Sequence, residues 1–302
     1  MDRKRLREQA LARKTRIEEA NERVTARAGR NLVFAFGSGI ALAAVFLLAL
    51  FWVRELFPLL ALVISCIAVY ELATAFRNAG RRVPRVGVII GSVIVILLAW
   101  FQAGEGLLLG LLAAGALLSL WRLVEGLMPR FEAPWRTLIA DVASGFFTLV
   151  YVPFLLGMVV VVHHYADHGD WWIFCLILIV VCVDIGAYAF GVTLGKHKMA
   201  PRISPGKTWE GFAGAALLAL GAGVFSAVVL LSQSILLGLL FGAAVLVTAV
   251  AGDLTESLIK RSLNVKDMSD FIPGHGGLLD RLDSILPSII PMYIAVMFVG
   301  AL

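Results

Sequence analysis

The chain has 302 residues, of which 60% are hydrophobic and only 16% are charged, and its mean hydropathy is +0.90. Soluble domains are about 45–50% apolar and about 25% charged, so this composition excludes an ordinary soluble domain and a disordered chain alike. The net charge of +5 does not indicate a nucleic-acid partner, because the basic residues are dispersed among segments that flank apolar runs. The sequence therefore predicts an all-α polytopic integral membrane protein.

The N-terminal segment, residues 1–30, is charged throughout and has no apolar stretch of the kind that a signal peptide requires. A polar helix extending into the cytoplasm is the favoured interpretation, and an arm resting on anionic lipid headgroups is the alternative. We divide the rest of the chain into N-terminal transmembrane helices over 31–170 and a C-terminal transmembrane region over 171–302. The second region holds most of the candidate catalytic residues.

A helix needs about 20 apolar residues to cross about 30 Å of hydrocarbon, and by this measure the sequence predicts about nine transmembrane helices. The third stretch is short, and only the tripeptide 232–234 separates the seventh stretch from the eighth. The nine predicted stretches are 31–50, 55–76, 86–101, 105–123, 137–162, 171–195, 209–231, 234–259 and 284–302.

The basic residues test this topology independently. If the N-terminus is cytoplasmic and the chain crosses nine times, all but one of the 26 Lys and Arg residues lie in or beside cytoplasmic segments, and the exception is Arg54. Membrane proteins concentrate Lys and Arg in their cytoplasmic loops in this way. The pattern therefore predicts a cytoplasmic N-terminus, and we expect the protein to reside in the cell membrane.

Two segments on the predicted cytoplasmic side are rich in charged residues and glycine. The first extends from Asp184 to Gly211, and the second extends from Gly252 to Asp283. Carboxylates can hold Mg²⁺, basic side chains neutralise phosphate oxygens, and glycines let backbone N–H groups approach those oxygens. The two segments together predict a polyphosphate-binding site.

Some carboxylates lie within the apolar stretches, where an ionised group is costly unless it is paired, hydrated or bound to a metal ion. Asp184 lies at depth in the sixth stretch. Asp253 and Glu256 lie in the eighth stretch, three residues apart, and so project from one helix face. For Asp253 and Glu256, an ion-paired seam between helices and contact with metal or substrate are both open. For Glu71, helix packing and a role in the site are equally open.

Asp280 and Asp283 are also three residues apart and lie beside basic residues, which favours a metal site. Capping of the ninth helix is the competing explanation for Asp283. Gly206-Lys207-Thr208 is similar to the end of a P-loop, but position 201 is proline where that motif requires glycine, so a P-loop ATPase is excluded. We expect no functional metal site in the histidine-containing outer loop 163–170.

The sequence resembles the phosphatidate cytidylyltransferase, or CDP-diacylglycerol synthase, family at three places. Residues 257–283, SLIKRSLNVKDMSDFIPGHGGLLDRLD, are similar to the signature of that family, and residues 184–188 and 203–211 are similar to a second region of it. Gly206 stands where many members have lysine. The resemblance implies transfer of CMP from CTP to phosphatidic acid, with release of pyrophosphate. It also implies Mg²⁺, with the identity of a second cation open, a homodimer, and a site open to the cytosol and the inner leaflet.

Mapped onto this chain, the resemblance implies three groups of site residues. Ser204 and Thr208 would donate hydrogen bonds to phosphate, and Gly274, His275, Gly276 and Gly277 would form an anion-binding loop, for which a structural turn is the alternative. The carboxylates would bind metal: Asp267, Asp280 and Asp283, with Asp253 and Glu256 as further members. The basic residues would neutralise CTP and pyrophosphate: Lys207, Lys260, Arg261, Lys266 and Arg281.

Two other functions fit parts of the sequence. A CTP-dependent lipid-alcohol kinase would share nucleotide binding, but it needs a base for a neutral hydroxyl, and the sequence offers no clear candidate. A transporter would use Asp184, Asp253 and Glu256 as coupling groups near the midplane. The charged residues cluster on one predicted face of the membrane, which favours the transferase.

Overall fold

The computed structural model describes residues 32–129, 133–201, 203–262 and 277–302. The predictions for residues 1–30 and for Lys266, Asp267, Gly274, His275 and Gly276 lie outside these ranges. The helices are α1 (Leu32–Phe51), α2 (Leu56–Asn78), α3 (Arg85–Gly126), α4 (Trp135–Leu149), α5 (Leu155–Tyr165), α6 (Gly169–Leu194), α7 (Trp209–Phe225), α8 (Ile235–Ser262) and α9 (Ile285–Phe298).

The fold is an apolar helical bundle, as predicted for an integral membrane protein. Within the described ranges, six helical stretches are long and apolar enough to cross a membrane, and two shorter apolar helices, Gly39–Phe51 and Ile285–Phe298, accompany them. Helical segments overlie every predicted stretch. The exact number of crossings and the side of the N-terminus stay predictions.

Helix α3 contains the third and fourth predicted stretches as two arms. Its backbone leaves the helical conformation at Gln102 and Ala103, where Ala103 has a φ of 52°. A Cβ added at Gly110 would lie 2.9 Å from the Cα of Val95. In a straight helix these residues would be about 22 Å apart, so the arms must fold back on each other.

Two π-helical segments adjust other predicted boundaries. Val150–Phe154, which contains Pro153, joins α4 to α5 within the fifth predicted stretch. Ser226–Leu230 extends α7, and the chain then turns at Ser232, where φ is 53°. The predicted break between the seventh and eighth stretches is therefore confirmed.

The segment after α6 departs from the predicted all-α fold, because it contains a two-stranded antiparallel sheet. Strand β1 (Lys198–Ala200) pairs with β2 (Ser204–Thr208), with Lys198 opposite Thr208 and Ala200 opposite Ser204. Pro205 interrupts β2 and hides it from a pattern search, because proline is rare in strands. It is tolerated here because each strand of a two-stranded sheet is an edge strand.

Glycines let the C-terminal helices approach each other closely. A Cβ on Gly186 of α6 would lie 2.6 Å from the carbonyl oxygen of Gly214 on α7, and one on Gly242 of α8 would lie 2.6 Å from that of Ala219. Small residues commonly line such contacts between membrane helices. This packing brings the ends of α6, α7 and α8 to one location, where the polar residues of the candidate site lie.

A buried ion pair ties the N-terminal helices together. Arg122 at the end of α3 is fully buried, and its Nη2 lies 2.9 Å from Asp141 Oδ2 on α4. The other oxygen of Asp141 accepts a hydrogen bond of 3.0 Å from the backbone N–H of Arg82. Asp141 therefore holds the loop before α3 against both helices.

Candidate active site

A cavity of about 250 Å³ with several polar side chains in its wall lies where the β1–β2 hairpin meets α6, α7, α8 and the start of α9. It joins residues from both segments that the sequence singled out, although these segments lie far apart along the chain. The polar side chains that line it are Asp184, Tyr188, Lys207, Thr208, Asp253 and Ser284.

Lys207 extends from β2 toward α8. Its Nζ lies 2.8 Å from Asp253 Oδ2 and donates a 3.3 Å hydrogen bond to the carbonyl oxygen of Val250. The sequence left open whether Asp253 forms an ion pair or contacts metal or substrate. In the structure it forms an ion pair that joins α8 to β2. Both side chains remain partly exposed to the cavity, where an anionic ligand could compete for the ammonium group.

The hairpin and the start of α7 hold Lys207 in place. Thr208 is the N-cap of α7, and its hydroxyl oxygen accepts a 3.1 Å hydrogen bond from the backbone N–H of Gly211. Its hydroxyl proton remains available to a phosphate oxygen. Glu210 contacts His197 Nδ1 at 2.6 Å and accepts hydrogen bonds from the amides of Lys196 and His197, which fixes the chain entering the hairpin.

A second polar cluster lies at the last turns of α8. Glu256 is fully buried and lies against Asp280 and Asp283, and Lys260 Nζ is 3.6 Å from Glu256 Oε2 and 2.9 Å from Asp280 Oδ1. We call Glu256, Lys260, Asp280 and Asp283 the acidic cluster. It adjoins the cavity through Asp283, which precedes the cavity residue Ser284.

The pKa values of Asp283 and Asp280, which lie outside the α-helices, are shifted in opposite directions. Burial raises the pKa of Asp283 above its ordinary value, and the nearby Asp253 carboxylate raises it further. Burial also disfavours ionised Asp280, but hydrogen bonds with Glu256 and Lys260 outweigh burial and lower the pKa of Asp280. Asp283 in particular is costly to ionise unless a cation compensates.

The acidic cluster fits a divalent cation chemically. Both carboxylate oxygens of Glu256 are buried, and neither accepts a hydrogen bond from an N–H or hydroxyl group among the residues that the structure describes. Over those same residues, no three His, Cys, Asp or Glu side chains converge enough to form a complete metal site. Mg²⁺ commonly takes only one or two carboxylates and completes its shell with water and substrate phosphate, so the carboxylates present suit it.

Glu71 of α2, whose role the sequence left open, contacts the chain just before Asp280. Its two oxygens accept hydrogen bonds from the backbone N–H groups of Leu278 at 3.0 Å and Leu279 at 2.9 Å. These amides begin the 3₁₀ turn Leu279–Arg281. Pattern reasoning could mark Glu71 as a buried carboxylate, but its partners are more than 200 residues away in sequence.

The remaining predicted residues have varied surroundings. Asp283 Oδ1 accepts a 2.7 Å hydrogen bond from the N–H of Ser284, at the start of α9. Asp283 therefore contacts both the next residue in sequence and, in the acidic cluster, Glu256. The N–H of Gly277, predicted to bind an anion, donates to Asp280 Oδ2 at 3.0 Å instead. Arg261 and Arg281 are exposed beside the cluster.

The sequence of the chain matches a known protein family. The profile of the cytidylyltransferase family matches residues 35–299, which is most of the chain. The chain belongs to the cytidylyltransferase family. This assignment confirms the resemblance predicted from residues 184–188, 203–211 and 257–283, and it makes the protein a nucleotidyltransferase.

Several relatives within the cytidylyltransferase family are phosphatidate cytidylyltransferases. The protein of Mycobacterium bovis is 35% identical over 94% of this chain and 93% of its own length. That of Mycobacterium leprae is 34% identical over 87% of each chain. That of Bacillus subtilis is 40% identical over 47% of this chain and 54% of its own length. The similarity to the two mycobacterial proteins thus includes the N-terminal helices.

Proposed function

We propose that this protein transfers CMP from CTP to phosphatidic acid, giving CDP-diacylglycerol and pyrophosphate, and so serves phospholipid biosynthesis. The observation that carries the proposal is the cavity at one end of an apolar bundle, which Lys207 and Asp253 line and which the acidic cluster adjoins. The similarity to phosphatidate cytidylyltransferases supports this choice of substrates.

The reaction joins two anions. A phosphate oxygen of phosphatidic acid attacks the α-phosphorus of CTP, and the bond to the bridging oxygen of the β-phosphate breaks as pyrophosphate leaves. Because the second pKa of a phosphate monoester is about 6, the nucleophile is already ionised near neutral pH and needs no general base. The main task of the site is therefore to reduce repulsion between the two substrates.

Basic side chains at the site suit this task. Lys207 faces the cavity and would meet the phosphates of CTP, exchanging part of its interaction with Asp253 for them. Lys260 holds Asp280 at 2.9 Å and so fixes the orientation of that carboxylate. Arg261 and Arg281 lie at the exposed side of the cluster, where they would neutralise the departing pyrophosphate.

Asp280 and Asp283 would hold Mg²⁺, with Glu256 and Asp253 as further members of the set and Asp267 outside the described residues. When bound, the ion would neutralise phosphate oxygens during the displacement. The carboxylates would keep their oxygens directed at the ion because Lys260 and the N–H groups of Gly277 and Ser284 restrain Asp280 and Asp283. The sequence resemblance supports the choice of Mg²⁺.

The proposal places this site at the cytoplasmic face of the cell membrane, in a homodimer. The distribution of Lys and Arg supports the orientation, since only Arg54 departs from it under nine crossings. The sequence resemblance supports the homodimer. CTP would enter from the cytosol, and phosphatidic acid would enter from the inner leaflet.

The activity can be tested with the full chain in mixed micelles containing phosphatidic acid, CTP labelled in the cytidine and Mg²⁺. We expect equal amounts of lipid-extractable label and pyrophosphate, and neither product when EDTA is present. Phosphorylation of a lipid alcohol from γ-labelled CTP would instead identify a kinase. Absence of both products from folded protein would refute the transferase and favour the transporter.

Replacement of Lys207 by Gln should mainly weaken CTP binding. The substitution keeps a polar side chain that is one atom shorter and removes the charge. A hydrogen bond to a charged group contributes about 1.5–3 kcal/mol, so KM for CTP should rise about 10- to 100-fold. Lys198→Gln is the matched control, because Lys198 belongs to the same hairpin and is exposed. Initial rates over a CTP series would test this, and equal KM values for the two variants would refute the assignment.

A further inference from the structure

Glu71 makes an unusual contact across the chain. It lies on α2, is only 2% exposed, and directs both carboxylate oxygens at consecutive backbone amides of the turn that carries Asp280. The first amides of a helical turn have no partner within the turn itself. Glu71 supplies acceptors for two of them from a different part of the bundle.

The amide before this pair is also held by a carboxylate. The N–H of Gly277 donates to Asp280 Oδ2, while Asp280 Oδ1 contacts Lys260. Three consecutive amides, at 277, 278 and 279, are thus fixed by Glu71 and Asp280 together. The orientation of Asp280 depends on the path of this turn, and the path of the turn depends on Glu71.

The next residues carry this restraint to Asp283. Leu279, the first residue of the 3₁₀ turn, is fully buried. The turn ends at Arg281, and Asp283 follows two residues later, just before α9 begins. A buried amide without an acceptor is unfavourable, so loss of Glu71 would let the turn move toward other partners. Such movement would displace Asp280 and Asp283 relative to Glu256.

We propose that Glu71 is a positioning residue of the transferase, which sets the turn 277–283 so that Asp280 and Asp283 face Glu256. It would act on the site through the two amides and not by contact with the substrates. The inference rests on the proposed function for its effect on activity, but its effect on the turn does not require any activity. It also assigns the N-terminal helices a direct part in forming the site.

Glu71→Gln is the principal test. One oxygen remains as an acceptor, but an NH₂ group replaces the other and opposes a backbone N–H. Displacements of about 1 Å can reduce rates about 10²-fold, so we expect kcat to fall by about 10- to 100-fold and the Mg²⁺ concentration for half-maximal rate to rise. Asp141→Asn is the control for loss of a buried carboxylate away from the site, since Asp141 is equally buried and also accepts a backbone N–H. It loses its ion pair with Arg122 as well, so its Tm should fall at least as much as that of Glu71→Gln while kcat of the folded protein stays near the wild type.

A second readout is independent of activity. Hydrogen–deuterium exchange of a peptide containing residues 277–283, measured without nucleotide or metal, should be faster in Glu71→Gln than in the wild type and unchanged in Asp141→Asn. Unchanged exchange would overturn the inference even if activity fell. An inactive wild type with faster exchange in Glu71→Gln would instead refute the proposed function and leave the positioning role intact.

Leu278→Pro provides a variant that does not alter Glu71. Leu278 has a φ of −65°, which suits proline, and the substitution removes only the N–H that donates to Glu71 Oε1. We expect a lower kcat, and we expect the double variant with Glu71→Gln to lose less than the product of the single losses, because the Gln NH₂ then opposes no N–H. Wild-type kcat and exchange in folded Leu278→Pro, or strictly multiplicative losses, would overturn the inference.

Discussion

Asp283→Asn is expected to reduce cytidylyl transfer by about 10²–10³-fold, the effect usually seen when one group that stabilises charge in the transition state is removed. Asp283 is mostly buried, lies against Glu256 and is under the influence of the Asp253 carboxylate. Ionised carboxylates so close together need a cation, and the neutral amide would remove one of its oxygen ligands. The loss should appear mainly in kcat, with a higher Mg²⁺ requirement.

The choice of Asn separates the two explanations that the sequence left open for Asp283. Its carboxylate oxygen accepts the N–H of Ser284, and the amide oxygen of Asn can accept the same hydrogen bond. A role limited to the start of α9 would therefore survive in Asp283→Asn and be lost only in Asp283→Ala. A cation-binding role would be lost in both variants.

Asp170→Asn is a suitable control because Asp170 lies in the first turn of α6, at the opposite end of that helix from the hairpin. Its rate should stay within about twofold of the wild type, as expected for surface substitutions away from a site. Rates would be measured on protein that elutes as a single species and has a wild-type Tm. Full cytidylyl transfer by folded Asp283→Asn would refute the metal assignment.

The sequence predicted the bundle well because the bilayer restricts which structures are possible. Backbone groups in hydrocarbon must be paired internally, so long apolar stretches become helices, and their ends follow from charges and prolines. The same rule explains why Ser232 marked a real break. It also explains the reversal at Gln102 and Ala103, which coincides with the predicted break between the third and fourth stretches.

The site was predicted in composition but only partly in its pairings. The sequence predicted that Lys207, Asp253 and Asp283 lie on one side of the membrane. In the structure, Lys207 and Asp253 line the cavity, and Asp283 belongs to the acidic cluster beside it. It could not show that Lys207 pairs with Asp253, or that Glu71 holds the turn before Asp280. Such contacts depend on how helices pack, and no local pattern encodes them.

Gly252 illustrates a functional residue that sequence reasoning passed over. It precedes Asp253 on α8, and its lack of a side chain lets α8 lie directly against the backbone that carries Asp283. A Cβ at this position would overlap the carbonyl oxygen of Asp283 and lie 2.8 Å from Pro287 Cγ. Neither a backbone carbonyl nor a proline ring can rotate away, so one helix would have to move.

Gly252→Ala should therefore reduce kcat by about 10²-fold, because a shift of about 1 Å would separate Asp253 and Glu256 from Asp283. Gly221→Ala on α7 is the matched control, since a Cβ there meets no atom within 4 Å. Alanine favours a helix over glycine by about 1 kcal/mol, so the control should be as stable as the wild type or more so. Both variants would be compared by Tm, by kcat and by KM for CTP.

The ratio of the two kinetic effects shows which contact Gly252 protects. If α9 moves, the contact between Asp283 and Glu256 is lost while the ion pair between Lys207 and Asp253 remains. In that case kcat falls and KM for CTP changes little. If α8 moves instead, the ion pair between Asp253 and Lys207 is also broken, and KM for CTP changes as well. A wild-type kcat in Gly252→Ala would mean that the close approach of α8 to Asp283 is not needed for transfer. This result would refute the proposed role of the acidic cluster in the reaction.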